Sequence, residues 1–134
     1  ERSLKRCLLS SSGLMIHTRM FEQFGRYDPT LLACEDYDLW LRLLRKCPVG
    51  LDPSVTVTKF GGHDDQLSQK YSAMDTFRVK ALTTVFNVEL NETCKNLLKQ
   101  EICYKLSILL NGAKKRQNDR SVTAFSKQLF AFSD

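Results

Sequence analysis

The chain has 134 residues, 43% of them apolar and 26% charged, which suits one globular domain with a modest core and excludes a disordered or collagen-like chain. No apolar run approaches the roughly 18 residues of a membrane span. The first residue is Glu1 and no signal-peptide pattern follows it, so the sequence reads as a piece of a longer protein, cytoplasmic and at most peripheral to a membrane.

The net charge of +5 is uneven. Residues 1–90 hold 12 basic and 11 acidic side chains, whereas residues 91–134 hold 8 and 4. The excess gathers around Lys114, Lys115, Arg116 and Arg120. A solvated turn and an anion-binding patch both fit it. Without interleaved aromatic residues or a binding motif there, nucleic acid is not an expected partner. Five cysteines at 7, 34, 47, 94 and 103 show no C-x-x-C spacing and read as small core residues of a reduced protein.

Taken in chain order, Leu14-Met15-Ile16 follows a Ser/Gly cluster and predicts a short buried strand, with His17 structural at its end. Arg19–Phe24 predicts a helix with Met20, Phe21 and Phe24 on its apolar side, stopped by Gly25. Tyr27 to Thr30 is a turn. A helix is expected from about Glu35 to Cys47. Leu39, Trp40, Leu43 and Leu44 form its apolar stripe, and Asp38, Arg42 and Arg45 lie along another side as a surface ion-pair set. Val55 to Thr58 is β-branched throughout and predicts a second strand. Gly61-Gly62-His63-Asp64-Asp65 is a loop.

From residue 72 the periodicity is helical. Ser72 with Asp75 resembles a capping box. Met74, Phe77, Ala81, Leu82 and Val85 mark one apolar face. Asn91 caps the next helix, which carries Leu97, Leu98, Ile102, Leu106, Leu109 and Leu110 and is expected to stop at Gly112. Val122, Phe125, Leu129 and Phe132 mark a last amphipathic helix. Met15, Met20 and Met74 read as core filler. The shift near residue 70 divides the chain into residues 1–70 and a helical extension over residues 71–134.

Glu35, Asp36 and Asp38 place three carboxylates at one helix start. Acids there complement the helix dipole and the free N–H groups. The same placement can also present a base to a hydroxyl nucleophile. Asp36, one turn before Trp40, shares its side, while Glu35 and Asp38 face elsewhere. Trp40 fits both a core anchor and a sugar-stacking ring. His63 beside Asp64 and Asp65 fits both a polar turn and a divalent-metal or phosphate contact.

Three segments together, Ser11-Ser12-Gly13-Leu14-Met15-Ile16-His17, Met20 to Asp28 and Cys34-Glu35-Asp36-Tyr37-Asp38-Leu39-Trp40-Leu41-Arg42, resemble the second half of family 2 glycosyltransferases. Gly25-Arg26-Tyr27-Asp28 stands where that family has its G-x-[FY]-D turn, and Glu35 to Arg42 where it has E-D-x-D-L-W-x-R. Residues 61–68 look like a later loop of some members. The resemblance implies an α/β chain, the C-terminal, acceptor-side portion of a GT-A fold, followed by the helical tail. It implies inverting, non-processive transfer of a sugar from a nucleotide-sugar donor such as a UDP-sugar to a carbohydrate or lipid-linked acceptor, as in cell-surface polysaccharide synthesis. Asp36 would be the general base with Glu35 beside it. Asp38 and Trp40 would bind acceptor, and His63 would serve the metal site of a Mg²⁺- or Mn²⁺-dependent enzyme. No Asp-x-Asp motif precedes Glu35 and no Q-x-x-R-W motif is present, so the chain alone is expected to be inactive and to need its donor-binding half, or to self-associate. The alternative is a non-catalytic helical interaction module derived from such an enzyme.

Overall fold

A computed structural model describes residues 1–58, 60, 70, 71 and 73–133. It contains α1 (Arg2–Lys5), a single 3-10 turn (Ser11–Gly13), α2 (Arg19–Phe24), α3 (Glu35–Leu44), α4 (Asp75–Val88), α5 (Glu92–Lys115) and α6 (Asp119–Ala131). Among the described residues there is no strand. This corrects the α/β, GT-A expectation. Among the described residues, Leu14–Ile16 and Val55–Thr58 have no partner strand to satisfy their N–H and C=O groups, and such groups settle into a ladder only when one is present. Met15 is 99% exposed, so it is no core filler, and Val55 is 94% exposed, whereas Leu14 and Ile16 pack against the smaller core. The capping-box Ser72 and the loop at Gly61–Asp65 lie outside the described residues.

The helices follow local chemistry closely. α2 ends at Gly25, whose φ of 79° and ψ of 176° belong to a region reserved for glycine. A Cβ there would also sit 3.2 Å from Arg42 Nη1. Gly25→Ala is therefore expected to cost about 1–3 kcal/mol, read as a lower urea midpoint. α3 stops at Leu44, short of Cys47, because Arg45 and Lys46 tighten into a turn, Lys46 N donating to Leu43 O at 3.0 Å. Asn91 caps α5 as expected, its side chain accepting from Cys94 N at 3.0 Å. Gly112 does not stop α5, which runs on to Lys115 with the Arg116 guanidinium folded over the glycine. Asn118 caps α6 through Ser121 N.

Consecutive helices pack on one another from α3 to α6, with α2 on α3 and α1 on α5. α3 is buried on two faces. Tyr37 and Leu41 join Val79, Leu82, Ile102 and Leu106 in the larger core, so that core unites α3 with the tail helices. Leu39, Trp40 and Leu43 form a smaller core with Leu9, Leu14, Ile16, Met20 and Phe24. Burial pushes the Tyr37 phenol up, and its hydroxyl donates to Leu4 O, tying the N-terminal segment to α3.

Charges also lie inside. Lys105, 4% exposed, donates to Lys5 O at 3.1 Å and stands 3.5 Å from Asp75 Oδ1, which accepts from Arg78 Nη1 at 2.8 Å. Lys105 Nζ is also 3.1 Å from Glu101 Oε1, a charge pairing at an angle that makes no hydrogen bond. Glu89 closes the α4–α5 turn: its Oε1 accepts from Leu90 N and Asn91 N, holding its carboxyl below the usual range, and Arg45 Nε lies 3.7 Å from Oε2. No described helix is long and apolar enough to cross a membrane.

Candidate functional site

α3 begins abruptly. Cys34, its N-cap, holds a left-handed φ of 60° and supplies no side-chain cap. The first turn therefore relies on its own acids, and Tyr37 N donates to Asp36 Oδ1 at 2.6 Å. This is the dipole role of a helix-start carboxylate.

The three acids then part company. Asp38 is 3% exposed and accepts from both Nε and Nη2 of Arg42, at 3.0 and 2.8 Å. Its pairing with Arg42 is thus largely internal, whereas a surface pair was expected. The same guanidinium donates through Nη1 to Phe24 O and through Nη2 to Arg26 O at 2.7 Å. Arg42 clamps the α2 terminus and the Gly25–Asp28 turn onto α3, and Asp38 is the counter-charge that holds the clamp. Tyr27, from that turn, meets Trp40 edge-on at 6.4 Å. The two motif segments are thus one physical unit.

Asp36 and Glu35 are half-buried, and neither enters an ion pair among the described residues. Asp36 Oδ2 instead accepts a weak bond from the Cys7 thiol at 3.5 Å. Burial, with the Asp36 charge adding to it, pushes that thiol up to about 12, so it stays protonated and donating. Burial pushes the Cys34 thiol up as well. All five cysteines are free, and only Cys34 among them is fully buried.

A cleft of about 660 Å³ opens beside this helix. Trp40, Leu43 and Leu44 form one wall, with Leu14, Ile16 and His17 opposite. Trp40 is 4% exposed, and its indole N–H is buried without a hydrogen-bond partner. His17 is exposed, its Nδ1 accepting from Arg19 N at 3.2 Å. Asp36, Glu35 and Asp38 are not among the cleft-lining residues; among the described residues Asp36 is linked to the cleft through Cys7, whose single S–H is shared between Asp36 and the lining Leu9 O at 3.1 Å. Sequence reasoning missed Cys7 and the clamp made by Arg42. Asp38 and Arg42 four residues apart were visible, but Tyr37 and Leu41 also being apolar was the signal that this side of α3 is covered.

Among the described residues, no three His, Cys, Asp or Glu side chains gather to hold a metal, and His63 lies outside them. Lys114, Lys115, Arg116 and Arg120 are all exposed at the α5–α6 turn.

Comparison with known proteins adds a line of descent. An uncharacterised glycosyltransferase of Rickettsia felis is 35% identical over 69 residues, which is 52% of this chain and 11% of that relative. One from Rickettsia conorii is 32% identical over the same length. One from Rickettsia bellii is 31% identical over 98 residues, 73% of this chain and 14% of the relative. The chain is a distant relative of proteins named glycosyltransferases. It spans only 11% to 14% of the length of these curated relatives. No family model matches it. No solved structure matches it either.

Proposed function

We propose that this chain is the acceptor-side segment of a family 2 glycosyltransferase, inverting and non-processive, in which Asp36 is the general base. The observation that carries the reading is the division of labour on α3. Asp38 is committed to Arg42, whereas Asp36 keeps a half-exposed carboxylate that accepts from Tyr37 N through Oδ1 and whose Oδ2 meets, among the described residues, only a neutral thiol. In the reaction, the acceptor oxygen bonds to the anomeric carbon of a nucleotide sugar and the bond to the diphosphate breaks. The hydroxyl proton passes to the Asp36 carboxylate. Glu35, on the same turn, shapes the approach. The clamped Asp38, buried and outside the cleft lining, acts only by fixing α3, on which Trp40 forms a wall of the neighbouring cleft where a carbohydrate or lipid-linked acceptor would rest. Any Mg²⁺ or Mn²⁺ would need ligands from outside the described residues, among which no three candidate side chains gather. The five free thiols suit a reducing, cytoplasmic setting, and a lipid-linked acceptor would add a peripheral hold on a membrane.

The reading is tested by calorimetric titration with UDP and Mn²⁺ of this chain and of the chain joined to the sequence encoded upstream of it. The joined protein should bind UDP and transfer sugar, and this chain alone should do neither. A joined protein that binds no nucleotide would leave the resemblance as ancestry only.

A second reading, a helical interaction module, is favoured by Tyr104 and Ile108, which lie one turn apart on α5, 61% and 44% exposed. Sedimentation velocity of the wild type against Tyr104→Glu separates it, since a partnered face would lose its complex.

A further inference from the structure

A second cleft, of about 500 Å³, lies between α4 and α6 and has chemistry unlike the first. Its walls include the rings of Phe77, Phe125 and Phe132, all partly buried against the larger core. Two of these rings are held edge-on by neighbours, Phe132 by Phe86 at 5.2 Å and Phe77 by Tyr71 at 5.5 Å. Fixed rings lose little entropy when a ligand settles on them.

The rim is made of neutral hydrogen-bonding groups. Thr76, Thr83, Thr84 and Asn87 recur along one side of α4, and Gln128 faces them from α6. Hydroxyls and amides of this kind both donate and accept. Thr84 Oγ1 donates to Lys80 O at 3.1 Å, which leaves its lone pairs outward. The one charged lining side chain among the described residues is Lys80, and its ammonium is already engaged, donating to Thr30 Oγ1 at 2.7 Å and lying 3.9 Å from Asp28. An anion would have to compete for it. A solvated helix face would show the same Thr/Asn stripe, but on a convex surface; here the stripe overlooks a concavity with aromatic walls.

From this juxtaposition we propose that the α4–α6 cleft binds a neutral saccharide, its C–H faces on the phenylalanine rings and its hydroxyls on the amide and hydroxyl rim. The volume lies within the range of small-molecule sites. The inference does not rest on the transferase reading, because such a cleft holds a sugar whether or not Asp36 moves a proton.

The test follows amide spectra of the 134-residue chain during titration with glucose, galactose, mannose and N-acetylglucosamine, with glycerol and inorganic phosphate as comparators. At least one sugar should shift α4 and α6 amides saturably. The Asn87→Ala/Gln128→Ala variant, altered at two exposed positions, should weaken that binding about tenfold while melting as the wild type does. Saturable shifts with none of the four sugars would overturn the proposal. So would a response to phosphate or glycerol in place of sugar, or a double variant that binds as well as the wild type.

Discussion

Arg42→Met is expected to destabilise the protein by about 3–5 kcal/mol, because it removes one partner of a largely buried ion pair. Asp38, 3% exposed, would keep a charge without its two donors, and the Phe24 and Arg26 carbonyls would lose theirs. Arg42→Lys keeps the charge but not the planar fork that reaches three acceptors at once, so it should fall between the two. Urea unfolding measures both. A loss under about 1 kcal/mol for Arg42→Met would mean that the pair behaves as an exposed one, and the account of Asp38 as a structural residue would fail.

Lys105→Met should cost a similar amount, about 3–5 kcal/mol, for the same reason. It strands Glu101, which is 9% exposed, and frees Lys5 O, the point where the N-terminal segment is held on α5. The contrast that makes this specific is the double variant Lys105→Met/Glu101→Leu. With both charges gone, apolar side chains fill the volume, and most of the lost stability should return. A double variant no better than the single would show that the Lys5 contact or packing, and not a stranded charge, carries the effect.

The sequence is most legible where a residue acts on its immediate neighbours. Arg19–Phe24 is a helix with the expected bounds because Gly25 can take a backbone conformation closed to other residues. Asn91 caps because its side chain reaches an amide three residues on. The apolar spacing of α4 and α5 places Leu82, Val85, Ile102 and Leu106 in the core as expected. Legibility ends where a distant partner decides. Val55–Thr58 has strand composition, yet a strand exists only through another strand, and none faces it among the described residues. Gly112 has the form of a helix stop, but Arg116 covers it and α5 continues. At the site, the acidic cluster was evident, and the pairing of Asp38 with Arg42 followed from spacing. Its burial did not, because it depends on α2 and its turn closing over α3. The Cys7 contact to Asp36 joins residues 29 apart, and no local pattern announces it.

In the proposed function, α3 separates a structural acid, Asp38, from a chemical one, Asp36. The most direct test is the rate of sugar transfer by the Asp36→Asn variant in the chain joined to its upstream sequence, with UDP affinity and urea midpoint measured on the same sample. Transfer should fall by roughly 10²–10⁴-fold, the contribution of a positioned general base, with UDP affinity and midpoint close to wild type. Transfer at the wild-type rate would contradict it and remove Asp36 from the reaction.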